Sequence, residues 1–361
     1  MGLILGAFPI IYLKNHSRFR RSSFLNNLNL EDIAKKSGVS RSTVSRVVND
    51  HPNVSKKVRD RVLEVIHQTG YQPHAAARAL VSNKSMTCGL ILPRTIDSFF
   101  ADPYFPSLIQ SIARSCGDND YTLSLFLSGG EEDEDRIFQR VTRRGFLDGV
   151  FVQSGNLGEQ LIPKIVDSKV PLVVLGRPFE TEGVNFVDVN NVEAVESAIS
   201  YLVETGHKRI ATITGPLVTA VGLDRKEGYL RGLQKNGLPV EAALIYEGDF
   251  LEQSGYEGGL ELIKHSPDAI FAASDRMAQG VIRALNERGR SVPDDVSIVG
   301  FDDYPVQPPD MPYLTSIRQP LLDFGNKAME ILISAIENSG VVHQEYLPTK
   351  FIVRQSTKIR N

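Results

Sequence analysis

Residues 28–73 read LNLEDIAKKSGVSRSTVSRVVNDHPNVSKKVRDRVLEVIHQTGYQP, and the spacing of small and branched residues in this stretch decides the fold of that part of the chain. Three short helical patterns follow one another. Leu30, Ile33 and Ala34 form an apolar stripe that Gly38 ends, glycine accepting the left-handed cap at no steric cost. Ser40 is a natural N-cap for a second helix over Arg41–Asn49, with Val44, Val47 and Val48 on its apolar face. Ser55 caps a third, carrying Val58, Val62, Val65 and Ile66 at helical spacing, and Gly70 stops it. The spacing Ala34, Gly38, Val44 is decisive. A small residue lets two helices approach, glycine makes the sharp turn, and valine plugs the angle: this is helix-turn-helix geometry. The exposed face of the second helix holds Arg41, Ser42, Thr43, Ser45, Arg46 and Asn49, with no acid among them. Arginine can read guanine bidentately in a major groove, while hydroxyls reach phosphates. The triplet alone also fits an ordinary three-helix cap with a solvated basic face.

The 361-residue chain is 42% hydrophobic and 23% charged, which excludes disorder and collagen-like repeats and leaves room for two or three domains. Its net charge of −3 hides an asymmetry. Residues 14–84 hold fourteen Lys/Arg against five Asp/Glu, a net of +9, and residues 85–361 hold 26 against 38, a net of −12. A short basic module thus accompanies a large acidic body, and contact with phosphates is confined to the module. Cys88 and Cys116 form no C-x-x-C, which excludes a zinc ribbon and a thioredoxin-type motif and suits a reducing cytoplasm, with a single disulfide left open. The apolar run MGLILGAFPIIYL at 1–13 is shorter than the about 20 residues that span a bilayer. Its charges follow the run, contrary to a signal peptide, so residues 1–27 read as a disordered extension.

Beyond residue 88 strand-like and helix-like segments alternate. Apolar runs at 88–93, 121–127, 148–153 and 171–176 form one set, and runs at 209–215, 269–275 and 297–303 a second. This predicts two similar lobes, each a doubly wound parallel sheet covered by helices on both faces, with ligands beyond the carboxyl ends of the strands. Ser274, Asp275, Asp302 and Asp303 end such runs, and Asp224 and Arg225 enter the helix after Gly215. Each alone is more often a helix cap or structural partner, but together they mark one rim. The acidic run EEDEDR at 131–136 reads as a helix N-terminus favoured by the macrodipole rather than a metal site.

The runs D-I-A, S-G-V-S, T-V-S-R-V-V-N and V-S-x-x-V-R-x-R-V resemble the DNA-binding head of the lactose-repressor (LacI/GalR) family. The runs ETGHKRIATITGP, D-R-x-x-G-Y, SDRMAQG, PDDVSIVGFDD and LTSIRQP resemble that family's effector domain, shaped like a periplasmic sugar-binding protein. The resemblance covers nearly all of residues 28–356. It implies a helix-turn-helix head at 28–70, a hinge at 71–87, and an effector-binding and dimerisation body at 88–355. Lobe one would take about 88–187 and 319–346, and lobe two about 188–318 and 347–355.

In the hinge, Pro73 can start a helix, but Ala75–Leu80 is too short to be stable alone. The family pattern implies a helix that orders on DNA and wedges Leu80 between base steps of the minor groove. His74 replaces the usual asparagine there, which puts the detail of the hinge contacts in question. The resemblance assigns DNA contacts to Ser40, Arg41, Ser42, Thr43, Ser45, Arg46 and Asn49. It assigns ligand contacts to Arg225 on sugar hydroxyls, Asp302, the aromatic platform Phe250, and Asp275. Ser274 stands where asparagine is common, and Leu321 where an aromatic often lies. Asp97, Phe99, Phe100 and Tyr104, in the insertion-like run at 94–106, are further candidates to shape the pocket, with Phe99 and Phe100 fitting the core equally well.

These readings describe a cytoplasmic, homodimeric DNA-binding regulator, a repressor, controlled by a small molecule, a sugar or sugar derivative. A nucleobase-responsive regulator of the same fold is the nearest alternative. A sugar-binding transport protein would share the body but lack the head. No G-x-G-x-x-G, P-loop, G-x-S-x-G or H-E-x-x-H is present, so no enzyme, cofactor or metal is expected. His207 is read as capping a helix end rather than as catalytic.

Overall fold

The computed structural model describes residues 28–48, 51–71, 84–92, 102–129, 131–153, 156–179, 181–304, 313–338 and 340–360. Residues 1–27, Asn49, most of the hinge segment including Leu80, and Asp97, Phe99 and Phe100 lie outside them. The chain divides into two compact units, Met1–Arg78 and Ala79–Asn361.

The first unit holds α1 (Leu30–Ser37), α2 (Arg41–Val48) and α3 (Lys56–Thr69). Asn29 and Asp32 form a reciprocal capping box that satisfies the first orphan amides of α1. Gly38 closes α1 at φ +64°, and Gly70 closes α3 at φ +63°. Ile33, Ala34, Val44, Val47, Val62 and Tyr71 form the core, with Ile33, Val44 and Val62 fully buried. Ser55 stands at the N-cap of α3 but its side chain makes no capping bond, so that expectation fails in detail.

In the second unit, the first sheet uses β1 (Thr87–Leu92), β2 (Thr122–Leu127), β3 (Gly149–Gln153), β4 (Leu172–Leu175), β5 (Asn185–Val189) and β11 (Gln344–Leu347), in the order β11-β5-β4-β3-β1-β2. Every pairing is parallel. Successive strand residues point to opposite faces. Cys88, Leu90 and Leu92 meet α4 (Tyr104–Asp118) and α11 (Leu321–Glu337) on one face. Ile91, Val150 and Val152 meet α5 (Glu131–Val141) and α6 (Leu161–Asp167) on the other. Both cysteines are free and buried, and EEDEDR does open a helix.

The second sheet has the order β12-β10-β9-β8-β6-β7, built from β6 (Ile210–Thr214), β7 (Ile245–Glu247), β8 (Ala269–Ala272), β9 (Ser297–Asp302), β10 (Thr315–Arg318) and β12 (Lys350–Ile352). Only β12 pairs antiparallel, against β10. Its helices are α7 (Asn191–Glu204), α8 (Ala220–Lys235), α9 (Glu252–Leu262) and α10 (Asp275–Glu287). α9 and α10 cross closely because Gly255 and Gly280 lie at the crossing. A Cβ on Gly280 would stand 2.1 Å from the Glu252 carbonyl. The chain therefore passes between sheets three times: after β5, after β10 and between β11 and β12. Among the described residues no helix is long and apolar enough to cross a membrane.

Candidate nucleic-acid interface and effector cleft

On α2, Arg41, Ser42 and Arg46 are exposed, while Thr43 and Ser45 are half-buried. Ser40 Oγ accepts from the Thr43 amide at 3.2 Å, capping the helix as its position suggests. The same oxygen lies 2.8 Å from both the Ser42 and Thr43 hydroxyls. Neither Arg41 nor Arg46 has an ion-pair partner among the described residues. Two uncommitted guanidinium groups beside a hydroxyl cluster on one helix suit a polyanion's backbone and base edges.

The second unit contains a cleft of about 670 Å³, partly open to solvent, between the two sheets' carboxyl ends. Arg225, Phe250, Ser274 and Asp302 line it, as does Tyr104. Arg225, in α8, is nearly buried. Its Nε donates to Asn191 Oδ1 at 3.0 Å and its Nη1 to the Ala273 carbonyl at 2.5 Å. Its Cζ sits 3.5 Å from the Phe301 ring centroid and 5.8 Å from that of Phe250. Asp302 Oδ1 lies 3.8 Å from Arg225 Nη1 and accepts from Gln319 Nε2 at 2.7 Å. Phe250 and Asp302 both hold positive φ, +72° and +110°, a conformation that side-chain-bearing residues adopt only where the surroundings over-determine it. Gly215 makes room for Phe250, because a Cβ there would lie 2.0 Å from the ring.

Two expected contacts are elsewhere. Asp275, the first residue of α10, lies outside the cleft lining; it is buried, accepting from the Tyr304 amide at 3.0 Å and the Ser316 hydroxyl at 2.6 Å. It is a structural anchor between α10, β10 and the end of β9. Leu321 opens α11 and its carbonyl takes the Ser111 hydroxyl, away from the lining. Conversely, Asp102, Gln153, Arg177, Asp188, Asn191 and Gln319 line the cleft without having been singled out as contacts. Arg177, after β4, grips Asp224 of α8 bidentately at 2.7 and 3.0 Å, tying the two lobes. The one available signal was positional, since Gln153, Arg177, Asp188 and Gln319 stand at or just past strand carboxyl ends.

The electrostatics follow from burial. Burial raises the Asp302 carboxyl to about 6, with Arg225 pulling the other way. Burial raises Asp188 to about 6 against the amides of Val189 and Arg177. Burial, then the Asp302 charge, pushes Asp275 well above the usual carboxylate range. His207 is fully buried. Its Nδ1 meets the Leu202 carbonyl at 2.9 Å, so that nitrogen carries the proton, and its Nε2 accepts from Ser297 at 2.8 Å. Burial accordingly lowers its pKa, and it closes the end of α7 as expected.

Residues 29–74 match the family described as bacterial regulatory proteins, lacI family, and residues 199–357 match the periplasmic binding protein-like domain. Catabolite control protein A of Priestia megaterium is 35% identical over 341 residues, 92% of this chain and 100% of the relative. The HTH-type transcriptional regulator CelR of Thermobifida fusca is 33% identical, over 91% of this chain and 97% of its own. Among solved structures, a complex of the transcriptional regulator CelR with cellobiose superposes with a TM-score of 0.72 at 31% identity, covering 91% of this chain and 99% of that one. The lac repressor dimer bound to operator and the anti-inducer ONPF gives 0.79 at 25% identity, covering 92% and 99%. With the helix-turn-helix head, the two-lobed body and full-length relatives in agreement, the chain belongs to the lacI family of bacterial regulatory proteins and is a DNA-binding transcription regulator.

Proposed function

We propose that the protein is a cytoplasmic homodimeric repressor whose operator affinity is set by a sugar bound, and left chemically unchanged, in the cleft. The observation that carries this reading is Phe250 lining the same cavity as Arg225 and Asp302. A pyranose offers an apolar face to stack and vicinal hydroxyls that pair with a guanidinium donor and a carboxylate acceptor. The relative solved with cellobiose supports the same ligand class. Arg225, Phe250, Ser274 and Asp302 would touch the ligand.

On DNA, Arg41, Ser42 and Arg46 would reach bases, while Ser40, Thr43, Ser45 and Asn49 position the backbone and Leu80 wedges the minor groove. A dimer would present two such heads to a near-palindromic operator. Control requires that the sugar bind the two lobe arrangements with different affinity. The test is a thermal-shift screen of the full chain against sugars, sugar phosphates, nucleobases and nucleosides, then operator binding with and without the hit. At 100-fold over its dissociation constant a ligand adds about 2.7 kcal/mol. A sugar hit that also moves operator affinity supports the reading. A hit confined to nucleobases replaces the sugar, and a hit with no effect on operator binding removes the control.

A further inference from the structure

One wall of the cleft carries a closed circuit of polar bonds that runs from lobe two to lobe one and back. Arg225 of α8, in lobe two, donates from Nε to Asn191 Oδ1 at 3.0 Å. Asn191 opens α7 just after β5, where the chain leaves the first sheet for the second. Its Nδ2 donates to Asp188 Oδ1 at 3.3 Å and to the Val189 carbonyl at 3.2 Å. Asp188, in β5, accepts at Oδ2 from the Arg177 backbone amide at 2.9 Å. The Arg177 side chain returns to α8 through its fork on Asp224, at 2.7 and 3.0 Å. Asp224 precedes Arg225 in the chain, so the circuit closes.

Chemistry fixes the sense of each bond. A guanidinium only donates and an ionised carboxylate only accepts, so the Asn191 amide fits between them in one orientation, with both Nδ2 hydrogens used. Asn191 is not occupied as a helix cap, because Asn190 caps α7 by accepting from the Glu193 amide. Asn191, Arg225 and Asp188 are buried, at 3, 5 and 7% exposure, so each lost bond leaves a polar group unpaired away from water. The side chains of Arg177 and Asp224 are more open, at 33 and 19%. Two ties join the lobes outside the circuit. The Leu157 amide donates to the Val218 carbonyl at 2.7 Å, and the Tyr304 hydroxyl donates to Asp102 at 3.1 Å. The circuit can therefore open while the lobes stay joined.

Both arms of the circuit start on adjacent residues of α8 and end on one carboxylate of lobe one. A pull on the Arg225 guanidinium reaches Asp188 through Asn191, at the point where the chain changes lobes. The same displacement of α8 reaches Asp188 through Asp224 and Arg177. Arg177, Asp188, Asn191 and Arg225 line the cleft, whereas Asp224 does not. We propose that Arg225, Asn191, Asp188, Arg177 and Asp224 form an interlobe ring in which Asn191 and Arg177 are positioning residues that act through Arg225, turning a ligand's hold on that guanidinium into a change of lobe angle. The ligand's part in this rests on the proposed sugar reading; the ring does not. Hydrogen-bond networks carry coupling where both sites bias one element, and that element is α8 with the start of α7.

The ring is tested first without ligand, by thermal melts of the full chain, Asp224→Ala, Asn191→Ala and the double variant. Groups in one hydrogen-bonded network are non-additive, whereas independent sites add. Once one substitution has opened the ring, the second has less to release, so the double variant should melt higher than the summed losses place it. Additive losses overturn the ring, and Asn191→Ser replaces Asn191→Ala in the cycle should the alanine variant not fold. Transmission is tested with cellobiose as the probe and an operator selected from random duplexes. Operator affinity with and without saturating probe differs by about 5–150-fold in a typical coupled regulator. Asp224→Ala, which leaves every cleft-lining side chain in place, should still bind cellobiose while that ratio falls toward one. An unchanged ratio overturns transmission, and so does loss of cellobiose binding in the variant alone, which would make the ring part of the binding site. No binding of cellobiose to wild type counts against the sugar reading, and the melting cycle then judges the ring by itself.

Discussion

Replacing Gly215 by alanine tests whether the cleft is built around the Phe250 ring. The backbone at 215 does not require glycine, since its φ lies outside the left-handed region. The side chain has nowhere to go. An added Cβ would stand 2.0, 2.4 and 2.8 Å from Phe250 Cζ, Cε1 and Cε2. Carbon atoms sit about 3.5–4.0 Å apart at contact, so the ring must retreat by about 1.5–2 Å. Overpacking of this kind costs about 1–3 kcal/mol. In a body of this size each kcal/mol is about 2–4 °C of melting temperature. The decisive comparison is a double-mutant cycle with Phe250→Ala. That variant loses ring contacts but leaves the space that a methyl at 215 needs, so the double variant should melt no lower than Phe250→Ala alone. The coupling should equal nearly the whole cost of Gly215→Ala and oppose it. Additive losses would show that the ring and Gly215 do not compete for space, and the account of the platform would fall with them.

Two further outcomes follow from the two units. Arg41→Ala should relax base preference at one operator position and cost about 1–3 kcal/mol there; weakening that is uniform across operator sequences would make Arg41 a phosphate contact instead. Asp303→Asn should destabilise the body by about 1.5–3 kcal/mol, because the buried carboxylate holds Arg354 Nη1 at 2.5 Å and Arg318 Nε at 2.6 Å across the strand ends. Burial pushes the Asp303 pKa up, but the two arginines outweigh it and the net shift is downward. Its contribution is therefore present above the unfolded carboxylate value and lost as pH falls through its own lowered one, so melts of wild type and variant should converge in acid. A gap that persists unchanged in acid would place the cost elsewhere.

The head was legible almost residue by residue. Ala34 and Val44 are buried and Gly38 is left-handed, because the geometry they specify is local. The seven apolar runs named from the sequence all became strands, since buried parallel strands need continuous branched apolar residues. The strands missed, NFVDV, IYE, TSIR, QEYL and KFI, are five residues or shorter, and most carry polar residues. Their identity comes from the neighbour they pair with. The cleft divides in the same way. Arg225 and Asp302 were visible as polar residues after apolar runs. Asp275 looks the same in sequence but is covered by Tyr304 and Ser316, which only the packing of β9 and β10 against α10 brings there. Asp102 and Tyr304 are separated by 202 positions and meet only because the lobes close on each other.

The last strands of the two sheets, β11 and β12, have a bearing on biosynthesis. They lie at residues 344–352, so neither lobe has all its strands until the ribosome has passed every other element of both sheets. The head, contiguous from 28 to 71, emerges first with every residue of its core already made. Domains generally fold as units in the order they are synthesised. A transcript cut short before codon 344 would thus yield a finished DNA-reading module attached to two sheets each missing an edge. Such a product is a target for proteolysis and, while it survives, a reader of DNA with no means of answering to an effector.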